Sequence, residues 1–221
     1  MNLGGMEFRY LIADDSQMGG LPNVITEVGY DAPLPHNGIG VRYCNLYDQT
    51  GRRQYGPYVE GTGTADQYNE LVLDCHGHNW GKFLDDQINS AKRAGFKIIE
   101  WDNPDGYPFG VVMGAIDRAY AADLWVVGKN VQLLEDTRRY LSHPALIGCV
   151  IEQDDDHPAN LFPGFMDQKR AEAAKPHLPI WFVTFGKGHT YGVQLAASAR
   201  GYKNMQVSWS QGEYNQSIVL R

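Results

Sequence analysis

The sequence predicts an α/β fold, a small single-domain (β/α)8 TIM-type barrel with long early βα loops, and three observations lead there. Eight short apolar runs are separated by longer amphipathic stretches, most runs carry no polar alternation, and polar residues stand directly behind them. Strand-like runs alternating with helix-like stretches are the pattern of a parallel sheet with helical crossovers. Runs that are apolar throughout suit strands covered on both faces. In a closed barrel the C-terminal ends of all strands meet around one mouth, whereas a doubly wound open sheet, the alternative, would spread them along an edge.

Taken in order, the runs are Phe8 to Ala13, Ile39 to Cys44, Leu71 to Asp74, Lys97 to Trp101, Leu124 to Val127, Leu146 to Ile151, Pro179 to Thr184 and Met205 to Trp209. Helices are predicted at Asn79 to Ala94, Val111 to Ala121, Val131 to Leu141, Gly164 to Ala174 and Tyr191 to Ala199. In the first of these, Trp80, Phe83, Leu84, Ile88 and Ala91 recur at three- and four-residue spacing, opposite Lys82, Asp85, Lys92 and Arg93. That gives one face to pack on a sheet and one to meet water. Gly95 then stops the helix in the left-handed position that glycine fills without steric cost. Residues 14 to 38 and 45 to 70 are rich in Gly, Pro, Asn, Asp and Tyr and read as long loops, the walls of a site.

The chain has 221 residues, of which 43% are hydrophobic and 20% charged, so it can bury a core. No linker or low-complexity tract divides it, and residues 1–221 are expected to form one domain. The net charge of −7 argues against nucleic acid and against an anionic membrane surface as partners, since both call for a basic stripe. No run approaches the ~20 apolar residues of a membrane helix, and the N-terminus lacks a signal-peptide pattern. A soluble protein is expected; the compartment stays open, because a secreted enzyme stripped of its leader would read the same. Cys44, Cys75 and Cys149 are too few for a disulfide framework and allow at most one bridge, Cys44 to Cys75 being the first choice.

Chemistry concentrates behind three consecutive runs. The fourth ends in Trp101, Asp102, Asn103, Pro104, Asp105, Gly106 and Tyr107, the fifth in Gly128, Lys129 and Asn130, and the sixth in Ile151, Glu152 and Gln153. Carboxylates on the fourth and sixth strands suit glycoside hydrolysis, in which one group protonates the leaving oxygen and the other attacks carbon or activates water. A lysine between them would help to keep one carboxylate ionised. The same Asp-Pro and Asp-Gly steps also cap turns, so Asp102 and Asp105 taken alone fit a structural role equally.

The segment from Leu71 to Gln153 resembles glycoside hydrolase family 114, the endo-α-1,4-polygalactosaminidase family. Its Asp-Asn-x-Asp-Gly-Tyr turn corresponds to Asp102 through Tyr107, its Lys-Asn to Lys129 and Asn130, and its later strand-end Glu to Glu152. Leu73, Asp74 and Trp80 are similar to its Leu-Asp and helix-opening Trp. Val41 to Tyr43, Arg52 with Arg53, and Pro179 to Phe185 extend the likeness to roughly two thirds of the chain. The resemblance implies a TIM barrel, a hydrolase of galactosaminogalactan-type polymers, and a catalytic pair at Asp102 and Glu152. The chain departs from the family after Glu152, where Gln153 to Asp156 and His157 stand in place of a common Cys, and from Ala13 to Gly38.

The sequence thus reads as a glycoside hydrolase acting on an α-linked amino-sugar polysaccharide, with Asp102 as nucleophile or electrostatic stabiliser and Glu152 as acid/base, roles that could be exchanged. Asp14, Asp74, His76, Asn103, Asp105, Tyr107, Lys129, Asn130 and Trp181 are the expected substrate-binding groups. Surplus acidity at the mouth would attract a cationic amino-sugar polymer. The reading requires no cofactor and no metal, and it leaves oligomeric state open. Two alternatives stand beside it: a catalytically inactive carbohydrate-binding barrel, since fold does not decide function, and a metal-dependent hydrolase or isomerase using His76, His78 and the Asp154 to His157 run.

Overall fold

The computed structural model describes residues 1, 3, 7–11, 24–28, 33–45, 48–49, 61–65, 71–102, 107–129, 136–153, 175, 178–185, 204–208 and 216–219. Within them the elements run β1 (Glu7–Leu11), β2 (Val24–Val28), β3 (Ile39–Asn45), β4 (Asp48–Gln49), β5 (Gly61–Ala65), β6 (Leu71–Leu73), α1 (Trp80–Arg93) and β7 (Ile98–Asp102). There follow α2 (Phe109–Ala121), β8 (Trp125–Lys129), α3 (Thr137–Leu141), β9 (Leu146–Gln153), β10 (Ile180–Phe185), β11 (Asn204–Ser208) and β12 (Gln216–Val219).

The main sheet has the order β1-β2-β3-β7-β8-β9-β10-β11-β12. Neighbours from β1 to β11 pair parallel, and β12 returns antiparallel to β11. The first strand also lies against β11 and β12, so the two ends of the sheet approach each other. The fold is therefore α/β with a parallel sheet, as the alternation of runs predicts.

Two expectations need correction. The run at Leu71 to Asp74 is not a strand of the main sheet: β6 is the middle of a separate antiparallel sheet ordered β4-β6-β5. The second and fourth runs, β3 and β7, pair directly, and the additional strand is β2, which lies between β1 and β3 inside the stretch 14–38 read as loop. The reason is local. Val24, Ile25, Thr26 and Val28 have the branched side chains of a strand, but Glu27 interrupts them and hides the run. The stretch 45–70 likewise contains β4 and β5.

The helices follow the periodicity more closely. In α1, Trp80, Phe83, Leu84, Gln87, Ile88 and Ala91 are buried, and Lys92 and Arg93 sit in the last turn, where cations complement the helix dipole. Its end is a Schellman turn: Phe96 N donates to Ala91 O and Gly95 N to Lys92 O, both at 3.0 Å, with Gly95 at φ +89°. The end of α2 repeats it with Leu124 N to Ala119 O and Asp123 N to Tyr120 O at 3.0 Å, but here the left-handed residue is Asp123 at φ 60°. The third helix begins at Thr137, capped by Asp136 Oδ1, which accepts from Arg139 N at 2.9 Å. The helices expected at 164–174 and 191–199 lie outside the described residues.

Two apolar layers flank the central strands. Ile99, Trp101, Val126 and Cys149 pack under the helices with Phe83, Leu84, Ile88, Val112, Ile116 and Tyr140. On the opposite face Leu3, Ile25, Val41, Ile98, Val127, Val150 and Trp181 form a second cluster. A bulge between Val126 and Val127 shifts the β8–β9 register by one residue and brings Gly148 opposite Val127. A Cβ at Gly148 would stand 2.3 Å from the Trp181 ring, so this glycine is what admits the indole. The three cysteines are free thiols, and no Cys44 to Cys75 bridge forms. No helix among the described residues is long and apolar enough to cross a membrane.

Candidate active site

Strand alternation turns every second residue of β7 to the same face. Ile98 belongs to the apolar cluster opposite the helices, while Ile99 and Trp101 belong to the helix layer. Glu100 and Asp102 therefore continue the face of Ile98, and both are buried. On β8, Val127 is in the same apolar cluster and Lys129 follows it two residues later. On β2, Ile25 is in that cluster and Glu27 follows. Moving from the N-terminal to the C-terminal ends of these strands, one face thus changes from aliphatic to charged.

The charged groups meet around one ammonium. Lys129 Nζ lies 3.2 Å from Asp102 Oδ2 and 3.9 Å from Glu100 Oε1. Tyr43, from the neighbouring β3, donates its hydroxyl to Asp102 Oδ2 at 2.8 Å. Lys129 Nζ also stands 5.5 Å from the centroid of the Tyr43 ring, within reach of a cation–π contact. Lys129 is only 1% exposed, so it points into the protein and its stem is wholly packed. A buried ammonium is stable only where anions face it. Asp102 at 6% exposure is the least buried of the three, with Lys129 at 1% and Glu100 at 0%. Glu27, fully buried, has its carboxyl pushed well above the usual carboxylate range by desolvation first and by the nearby Glu100 second. One oxygen of Asp102 thus faces a cation and accepts from a phenol.

The remaining expected site residues divide. Glu152 is the seventh residue of β9, two beyond Val150, and pairs with Val183 of β10. Strand order puts β8 and Lys129 between β7 and β9. Asp74 and His76 sit in the turn after β6, which belongs to the small sheet, and Asp74 Oδ1 accepts from His76 N at 2.9 Å. That is an Asx turn, the capping role such an aspartate often takes. Tyr107 is buried and donates its hydroxyl to Leu73 O at 2.9 Å. Its ring lies 5.2 Å from that of Trp80, which stands the same distance from Phe83. Tyr107 thus fastens the small sheet and the start of α1 to the segment leaving β7. Trp181 is 1% exposed in the apolar cluster beneath the charges. Asp14, Asn103, Asp105, Asn130 and the run 154–157 lie outside the described residues. His76 and His78 are exposed, and among the described residues no group of three His, Cys, Asp or Glu is placed to hold a metal ion.

Sequence reasoning overlooked Glu27 and Glu100 as members of the site. A signal for each exists: both are acids inside otherwise apolar strands, at the same parity as a residue of the inner cluster. Tyr43 is legible only as one strand aromatic among many.

No family model matches the sequence, and no curated protein matches it. Solved structures do match. The crystal structure of Aspergillus fumigatus Ega3 in complex with galactosamine aligns with a TM-score of 0.66 at 12% identity, covering 97% of this chain and 95% of that one. The glycoside hydrolase domain of PelA from Pseudomonas aeruginosa aligns with a TM-score of 0.59 at 13% identity, covering 97% of both chains. A variant of that domain gives 0.63 at 12% identity, again over 97% of both. The chain therefore shares the fold of these proteins along nearly its whole length.

Proposed function

We propose that the chain is a glycoside hydrolase of the family 114 type, cleaving an α-linked amino-sugar polysaccharide at the mouth of a closed (β/α)8 barrel formed by residues 1–221 as one domain. The observation that carries this reading is Asp102 at the C-terminal end of β7, with Lys129 Nζ at 3.2 Å and the Tyr43 hydroxyl at 2.8 Å on the same oxygen. A carboxylate so held is oriented to stabilise or attack an oxocarbenium-like carbon. The acid/base role then goes to Glu152, across Lys129 on β9. Barrel closure is supported by the approach of β1 to β11 and β12. The sugar class is supported by fold likeness to a protein crystallised with galactosamine.

In this mechanism Glu152 protonates the departing glycosidic oxygen while Asp102 meets the developing positive charge at the anomeric carbon. A carboxyl separation near ~5 Å would make Asp102 the nucleophile of a retaining reaction; ~6.5–9.5 Å would leave room for a water and give inversion. Asp14, Asn103, Asp105 and Asn130 are proposed to bind the sugar rings around this pair, and Asp74, His76, Tyr107 and Trp181 to shape the surrounding wall and floor. The test is incubation of the protein with α-1,4-linked galactosamine polymer, its N-acetylated form and a neutral α-glucan, with products read by mass spectrometry. Shorter oligomers from the galactosamine polymer support the proposal; no cleavage of any of the three contradicts it.

A further inference from the structure

The turn between α3 and β9 is held by one imidazole whose two nitrogens do opposite jobs. His143 Nε2 stands 3.0 Å from Asp117 Oδ1 on α2, and His143 Nδ1 accepts from Ala145 N at 3.1 Å. A carboxylate accepts and a backbone N–H donates, so the geometry calls for the neutral ring with its proton on Nε2. The Ala145 amide has no water to turn to, because Ala145 is 0% exposed. On its other side Ala145 O accepts from Val126 N at 2.9 Å, where the pairing of β8 with β9 begins, next to the bulge between Val126 and Val127.

We propose that His143 is a proton-operated latch on the start of β9: the neutral ring ties α2 to the α3–β9 turn and holds the Ala145 amide, and the protonated ring lets that amide go. Protonation puts an N–H on Nδ1, so two donors face each other where a donor met an acceptor. Turning the ring over does not restore the bond, because both nitrogens of an imidazolium donate. The Asp117 side chain is 70% exposed, so its added attraction to a charged ring is screened by water, while the buried Ala145 N–H loses its acceptor outright.

The other groups around the turn do not replace that bond. Lys175 Nζ donates to His143 O at 3.0 Å and to Leu146 O, which brings a like charge to the turn that carries the ring. Burial lowers Lys175 from its ordinary range, so its charge becomes more complete as pH falls. From α2, Tyr120 meets the imidazole edge to face with centroids 5.7 Å apart, and Arg118 turns to Asp85 at 2.8 Å. From α3, Tyr140 is buried and gives its carbonyl to His143 N at 3.1 Å, Arg138 is exposed, and Arg139 lies 5.4 Å from the Phe109 ring centroid. The strand that starts at the latch carries Glu152 near its far end. The latch touches no substrate, and its test does not depend on turnover, so it stands or falls apart from the glycosidase reading.

The experiment is nuclear magnetic resonance on the whole protein labelled with nitrogen-15, titrated from neutral to acid pH, in wild type and His143→Asn. The asparagine keeps an acceptor oxygen where Nδ1 stood and does not titrate. Identified by its absence from the variant, the His143 ring should show the Nε2–H tautomer at neutral pH. As its nitrogens move to imidazolium positions, hydrogen-exchange protection of the Ala145 amide should fall by about tenfold or more in wild type and stay level in His143→Asn. If the variant does not fold, the wild-type titration decides alone. An Nδ1–H tautomer at neutral pH, Ala145 protection that ignores protonation of the ring, or an equal acid loss in His143→Asn would overturn the latch.

Discussion

The two faces of β7 are made of one five-residue strand and obey different rules. On the helix side, Ile99 and Trp101 enter a continuous apolar layer, and anything of the right size and polarity would serve. On the inner side, Ile98 gives way to Glu100 and then to Asp102, and each step toward the C-terminal end replaces packing by electrostatics. The helix face is tolerant and redundant, while the inner face holds charged groups whose cost of burial is offset by ion pairing, as between Lys129 and Asp102. A site built this way fixes the position of Asp102, and it is where substitutions should be felt most.

The largest effect is expected from Lys129→Met. Removing the ammonium takes from Asp102 and Glu100 a buried cation at 3.2 and 3.9 Å, which should cost roughly 3–5 kcal/mol in denaturant unfolding. Loss of a nearby positive charge makes a carboxylate easier to protonate, so the acidic limb of the pH–rate profile should move to higher pH. An unmoved limb would break the coupling between Lys129 and the reacting carboxylate.

Glu27→Gln sharpens the same contrast through pH. Glu27 is raised well above its ordinary 4.5 in the folded protein, so the folded state binds a proton that the unfolded chain has released. Wild-type stability should therefore fall, relative to the variant, as pH rises above 4.5 and on to the raised value, at up to about 1.4 kcal/mol per pH unit. Parallel curves for the two proteins would show that Glu27 is ionised in the fold. Below the charges, Gly148→Ala would drive a methyl to within 2.3 Å of the Trp181 ring and should cost about 1–3 kcal/mol in thermal or denaturant unfolding.

How much of this was legible in the sequence differs between the faces in the same way. The helix side declares itself through periodicity: Trp80 to Ala91 gave α1, and Gly95 gave its end. The C-terminal residues Asp102 and Lys129 were legible because they end apolar runs. Glu27 and Glu100 were not, since a charged residue within a strand lowers its apolar score and at Glu27 erased the strand altogether. The third predicted run was misplaced for a different reason. Leu71 to Leu73 is as apolar as a central strand, but three residues paired antiparallel on both sides make a small side sheet. Neither pairing partner nor direction is written in a run of apolar letters.

The smallest effects belong to the helix side. Asp123→Gly, at a left-handed position that Gly95 fills in the equivalent turn of α1, should stabilise the protein by roughly 1 kcal/mol. Asp85→Ala removes an exposed 2.8 Å ion pair to Arg118 between α1 and α2, and water screening should hold the loss below about 0.5 kcal/mol. A large loss at Asp85, or a destabilised Asp123→Gly, would show the outer face to be less tolerant than described.

The central claim is that the charged end of the inner face is the reaction centre, and it is tested most directly by turnover of α-1,4-linked galactosamine polymer in wild type, Asp102→Asn and Glu152→Gln. Product release should be readily detected for wild type and nearly abolished in each variant, with all three proteins unfolding cooperatively. Undiminished turnover in Asp102→Asn would contradict the claim, because the carboxylate held by Lys129 and Tyr43 would then have no part in the chemistry.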